Sequence, residues 1–132
     1  MDIKPLHILL VEDHEDSATC LAILLRRAGH AVQVSHDGSE AVRAAKDHHF
    51  DVALCDIQLP DIDGCDLLVQ LHSIQPLKAI ALTGFSMSDD FARYRAAGFQ
   101  TRLVKPLDFD DLLTAIQDLA GSTRECGNAV MR

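Results

Sequence analysis

Five polar side chains stand where apolar runs stop: Glu12 and Asp13, Asp56, Thr83 and Lys105. Asp56 is the most telling of them. A buried strand has no use for an ionised carboxylate at its last position, because the charge loses its hydration there. The charge is tolerable only where the strand ends and a loop opens, and the Pro- and Gly-punctuated segment 57–64 is such a loop. Three carboxylates brought together repel one another and need a cation. An all-oxygen set with one or two direct carboxylates suits Mg²⁺, which keeps several waters and bridges to phosphate oxygens. Lys105 adds a point positive charge, Thr83 a hydroxyl donor, and Gly84 a backbone N–H that an anion can approach closely. Phosphoryl transfer requires those groups, since it is mostly positioning plus neutralisation of charge on the equatorial oxygens. In this reading Asp56 attacks and forms an acyl phosphate, while the metal and Lys105 balance the developing charge.

Such residues must be positioned by strands that all end at one edge. Residues 6–11, 31–35, 51–56, 78–82 and 101–104 form short apolar runs. The most continuous of them suit parallel strands buried on both faces. Between them lie helical patterns. Residues 15–28 carry Ala18, Leu21, Ala22 and Leu25 on one stripe, with Gly29 placed to end the helix. A second helix, 39–47, turns Ala41, Ala44 and Ala45 inward; a third opens at Asp63 or Gly64 and carries Leu67, Leu68 and Leu71 to about residue 73. A fourth begins at Ser86–Asp89, spaced like a capping box, carries Phe91 and Tyr94 as core residues and ends at Gly98. The last is capped by Asp108 and shows Leu112, Leu113, Ile116 and Leu119 at helical spacing. Strand and helix alternate throughout, which demands a parallel sheet with helices on both faces and right-handed connections. In such sheets the functional crevice lies at the carboxyl ends of the strands.

Composition narrows the classes. A chain of 132 residues can bury one proper core, so a single domain is expected over residues 6–120, with a short lead at 1–5 and a polar, flexible tail at 121–132. The net charge of −8 argues against a nucleic-acid groove and against an anionic membrane surface. No signal-peptide pattern and no membrane-length apolar run are present, so a cytoplasmic module is expected. The four cysteines form no C-x-x-C pair, and Cys20 and Cys55 read as small core residues of a reduced protein. The seven histidines lack ligand spacing. His7, His30, His36, His48, His49 and His72 read as surface or partly buried. His14 adjoins the acidic pair and is placed either to tune it or to sit as an ordinary surface histidine.

Together, the acidic pair, the loop from Asp56 through Leu59-Pro60-Asp61 to Asp63-Gly64, Thr83-Gly84 and Lys105-Pro106 resemble the receiver domain of two-component response regulators. The resemblance covers residues 6 to about 120. It implies a flavodoxin-like, doubly wound α/β fold: a five-stranded parallel sheet in order 2-1-3-4-5 with five helices. It implies that Asp56 takes phosphate from a histidine of a kinase or a histidine phosphotransfer protein, so that the domain is a phosphoacceptor rather than a conventional enzyme. Asp13, Asp56 and the main-chain carbonyl of Gln58 would ligate Mg²⁺, with Glu12 acting largely through water. Thr83 and Lys105 would hold phosphoryl oxygens, helped by the Gly84 N–H, and Thr83 would move toward the phosphate as the switch. Gln58 and Phe85 would influence how water reaches the acyl phosphate. A cis bond before Pro106 is common in this family.

One position departs from the pattern, since Arg102 stands where such domains commonly carry an aromatic or His. Arginine cannot bury as an aromatic ring does, so it is expected to reach solvent or pair with an acid. Arg93, Arg95 and Arg102 against Asp110 and Asp111 offer a surface for a weak homodimer or for docking, and read equally as a solvated face.

Plainer readings stand beside these. Glu12 and Asp13 could cap the first helix, and Asp61 and Asp63 are expected to set the turn and the next helix start rather than bind metal. A phosphatase of the haloacid-dehalogenase type also uses a strand-end Asp, but wants a second Asp two residues on, where this chain has Gln58. A flavodoxin-like FMN carrier is opposed by the acidic loop after the first strand. A degenerate receiver scaffold finds no support while the acidic, Thr and Lys positions are intact. The chain is then a stand-alone receiver or the receiver of a hybrid sensor kinase. The run Ala81-Leu82-Thr83-Gly84-Phe85-Ser86-Met87-Ser88-Asp89-Asp90 and Arg102 incline toward the C-terminal receiver of a hybrid kinase.

Overall fold

The computed structural model describes residues 5–84 and 91–129, with 121–129 described as backbone only. The elements are β1 (His7–Val11), α1 (Glu15–Arg27), β2 (Ala31–Ser35), α2 (Gly38–Asp47), β3 (Val52–Asp56), α3 (Gly64–Ile74), β4 (Lys78–Thr83), α4 (Phe91–Ala97), β5 (Thr101–Val104) and α5 (Phe109–Ala129). All strands pair in parallel, in the order β2-β1-β3-β4-β5.

Alternation along the strands divides the core in two. Leu9, Val11, Ala53, Cys55, Ala79 and Ala81 face α2, α3 and α4, whereas Ile8, Leu10, Leu54, Ile80 and Leu82 face α1 and α5. Both sets are buried, which is why β1, β3 and β4 read as unbroken apolar runs rather than as alternating ones. Burying each large side chain stabilises the fold by about 1.5–3 kcal/mol, so neither layer of helices is dispensable.

Several local expectations meet their physical limits here. Cys20 is exposed, not a core residue. The buried stripe of α1 is Ala18, Ala22 and Leu25, and a residue two positions past Ala18 lies on the opposite side of the helix. His30 is buried, where a surface or partly buried position is expected. Its Nδ1 accepts the Leu6 N–H at 3.1 Å, so it serves the backbone just before β1. The N-cap of α1 is His14, whose Nδ1 accepts the Ser17 N–H, so the helix cap falls to neither Glu12 nor Asp13. Tyr94 is buried and Phe91 half-buried, as core-facing residues of α4. The Ser86–Asp89 capping box and Phe85 lie outside the described residues. The α5 backbone stays helical to Ala129, past the Gly121 at which the sequence reading ends it. Asp108 caps α5 by accepting the Asp111 N–H at 3.1 Å. The Lys105–Pro106 peptide bond is cis. Among the described residues, no helix is long and apolar enough to cross a membrane.

Candidate functional site

Strand register brings the polar residues to one edge. Val11 pairs with Cys55, so Glu12 follows at the level of Asp56. Asp56 pairs with Leu82, one residue before Thr83, and Thr83 pairs with Val104, one residue before Lys105. Parallel strands carry their carboxyl ends to the same side, so residues far apart in the chain become spatial neighbours across four strands.

The side chains then meet. Lys105 Nζ donates to Glu12 Oε1 at 2.7 Å and to Asp56 Oδ2 at 2.8 Å. Asp56 Oδ1 accepts the Gln58 N–H at 2.9 Å, and Glu12 Oε2 accepts the His14 N–H at 3.1 Å. Glu12 is 1% exposed and Asp56 7%, so both carboxylates have lost most of their water and depend on these donors. Burial alone would pull the Lys105 ammonium down. Its hydrogen bonds and charge pairing with Asp56 and Glu12 outweigh that and hold it above the ordinary lysine value. Thr83 is buried at the end of β4, and its carbonyl accepts the Lys105 N–H at 2.8 Å, which fixes the lysine's main chain. Cys55, behind Asp56, is no competing nucleophile: burial and then the neighbouring Asp56 push its thiol far up, so it stays protonated.

Carboxylate oxygens of Glu12, Asp13 and Asp56 lie within 4.8 Å of one another. Lys105 contributes one positive charge against three carboxyl groups. That imbalance and the all-oxygen donor set fit a hard divalent cation such as Mg²⁺. Asp13 is the exposed member, open to an incoming ion.

The loop after β3 is tightly built. Gly64 N–H donates to the Ile57 carbonyl at 2.8 Å, and a Cβ at Gly64 would lie 2.7 Å from the Asp56 carbonyl oxygen and from Ile57 Cα. The glycine is therefore required for α3 to start against the end of β3. At Gly84, by contrast, a Cβ would meet nothing within 4 Å among the described residues, so their packing gives no reason for glycine there.

Asp63 caps α3 by accepting the Cys65 N–H at 2.7 Å, and pairs with Arg93 of α4 at 2.6 Å. Asp61 is placed differently from the turn-setting role read from sequence: it accepts the N–H groups of Gly38 and Ser39 at the start of α2. Nothing in the local sequence signals that contact. Arg102 also finds a neighbour that sequence reasoning does not give it, its guanidinium lying 5.4 Å from the centroid of the Phe91 ring, with Arg95 5.5 Å from the same ring.

The fold and this edge define a class: a doubly wound α/β domain with an acidic centre and a paired lysine where its strands end. The chain belongs to the response regulator receiver domain family, whose sequence model matches residues 8–117. Transcriptional regulatory protein PdtaR of Mycobacterium tuberculosis is 35% identical over 122 residues, 92% of this chain and 60% of that protein. Transcriptional regulatory protein ZraR of Salmonella typhimurium is 32% identical over 121 residues; the chain spans only 27% of its length. Among solved structures, the receiver domain of sensor histidine kinase PA1611 from Pseudomonas aeruginosa is 31% identical with a TM-score of 0.81. The match covers 90% of this chain and all of that one, which has a magnesium ion coordinated in its active site cleft.

Proposed function

We propose that this domain is a Mg²⁺-dependent phosphoacceptor switch and that Asp56 is the residue phosphorylated. One observation carries the reading: a buried strand-end carboxylate with one oxygen held by the Gln58 N–H and the other by Lys105, beside two further carboxylates. A carboxylate oxygen of Asp56 attacks the phosphorus of a phosphohistidine. The O–P bond forms as the N–P bond breaks, and the imidazole leaves with the electron pair and takes up a proton. Asp13, Asp56 and the Gln58 carbonyl would hold the metal, with Glu12 acting through water. When bound, it supplies positive charge to the phosphoryl oxygens. Lys105 would exchange a carboxylate oxygen for a phosphoryl oxygen, with Thr83 and the Gly84 N–H as further donors.

The donor in this proposal is a histidine kinase or a histidine phosphotransfer protein, and the setting is cytoplasmic. Of the two parent architectures, the likeness to the PA1611 receiver supports the hybrid sensor kinase and the likeness to PdtaR and ZraR supports a response regulator. The test is intact mass after incubation with Mg²⁺ and acetyl phosphate or phosphoramidate. Wild type should gain one phosphoryl group that is labile to hydroxylamine, and Asp56→Asn should gain none. Equal labelling of the mutant would move the phosphate off Asp56 and end the proposal.

A further inference from the structure

The loop that follows Asp56 is anchored at a point remote from the acidic centre. Helix α2 begins with donors that the helix itself cannot satisfy. Asp37 reaches one of them, accepting the Glu40 N–H at 2.8 Å, and its carbonyl takes the Ala41 N–H at 3.1 Å. The two that remain are satisfied by Asp61: Gly38 N–H donates to Oδ1 at 2.8 Å and Ser39 N–H to Oδ2 at 3.0 Å. Contact between loop and helix is close, since a Cβ at Gly38 would lie 2.3 Å from Ile62 Cγ2. The base of the loop is closed by a bridge between Gln58 and Asp63. Its first turn meets the nucleophile through the Gln58 N–H on Asp56 Oδ1. A continuous path of bonds thus runs from the start of α2 through Asp61 to Asp56.

We propose that Asp61 is a positioning residue for the centre: docked on the two free N–H groups of α2, it holds the 57–63 loop so that the Gln58 main chain stays against Asp56. The inference rests on the proposed metal and phosphoacceptor role of the centre. The carboxyl of Asp61 lies below the ordinary aspartate value, chiefly through the Gly38 N–H, so the anchor is charged at neutral pH. Supporting shells of this kind commonly change metal affinity by on the order of 10-fold.

The experiment compares Asp61→Ala with Asp37→Ala. Asp37→Ala also strips a cap from α2 but leaves the loop alone. Mg²⁺ affinity by calorimetry, exchange of the Gln58 amide by NMR without metal, and melting temperature are measured on each full-length variant. Asp61→Ala should weaken Mg²⁺ on the order of 10-fold and speed Gln58 exchange, while Asp37→Ala lowers the melting temperature with wild-type Mg²⁺ affinity. Asp61→Asn, which keeps one acceptor oxygen, should fall between. If both alanine variants shift Mg²⁺ affinity equally, or neither does, Asp61 is an ordinary structural cap and the proposal fails. If the Mg²⁺ shift is found but wild type accepts no phosphoryl group, the positioning role stands and the phosphoacceptor reading falls.

Discussion

The two edges of the sheet treat polar side chains in opposite ways. At the amino edge they serve the backbone: His30 accepts from Leu6 N–H, Asp51 from His7 N–H, and Gln75 from Phe50 N–H. The same Gln75 amide donates to the carbonyls of Ala45 and His48. At the carboxyl edge side chains meet side chains, with Lys105 bonded to both Glu12 and Asp56 and Asp13 close by. A side chain bonded only to main-chain groups is consumed by the fold, whereas Glu12 and Asp56 each give one oxygen to a main-chain N–H and the other to Lys105. Carboxylates sharing one lysine keep lone pairs and uncompensated charge, which is what a cation and a phosphoryl group can use. That difference, rather than the mere presence of polar residues, separates the candidate site from the rest of the molecule.

The largest effect that would sharpen this comparison is expected at Lys105. In Lys105→Met, Glu12 and Asp56 are left buried without that counter-charge, which should cost about 3 kcal/mol of stability in the absence of metal. Mg²⁺ should then restore more stability to the variant than it adds to wild type. Chemical denaturation with and without Mg²⁺ measures both, and unchanged stability without metal would break the account of the centre as charge-frustrated.

Gln75→Ala at the opposite edge removes three hydrogen bonds to main-chain groups and should cost about 2 kcal/mol. Phosphoryl labelling of the folded protein should be unaltered. A labelling defect as large as the stability defect would mean that the two edges are coupled and the contrast is false.

The smallest effect concerns His30. Its buried ring accepts through Nδ1, so the proton sits on Nε2, which has no hydrogen-bond partner among the described residues. Burial lowers its pKa below 6.5. Below that pH the unfolded chain takes up a proton that the folded chain resists, so the unfolded state binds more protons and stability falls with pH. The loss begins as pH drops through about 6.5 and levels off once the folded state also protonates. His30→Asn, which can still accept from Leu6, should flatten this part of the melting temperature profile between pH 7 and pH 5; an unchanged slope would assign the titration to another group.

Much of the fold was legible because β1, β3 and β4 are buried on both faces and read as unbroken apolar runs, each followed by a turn signal and an amphipathic stripe. Glu12, Asp56, Thr83 and Lys105 were legible because a polar residue closing such a run is costly unless it sits at a sheet edge. Cys20 was misread because apolar neighbours in sequence are not neighbours on a helix surface. His30 was misread because its hydrogen bond spans 24 residues. The Phe91 ring that Arg102 overlies belongs to another element, so no local pattern signals that contact.

By itself, then, the sequence determined the alternation of strands and helices, the edge at which chemistry-bearing residues gather, and the residue types gathered there, because these follow from local hydrophobic patterning and chain direction. Only the tertiary structure decided that Lys105 bridges Glu12 and Asp56, that Asp61 spends its charge on α2, and that His30 closes the backbone before β1. Those are contacts between residues distant in the chain, set by strand register and helix placement, and no local pattern encodes them.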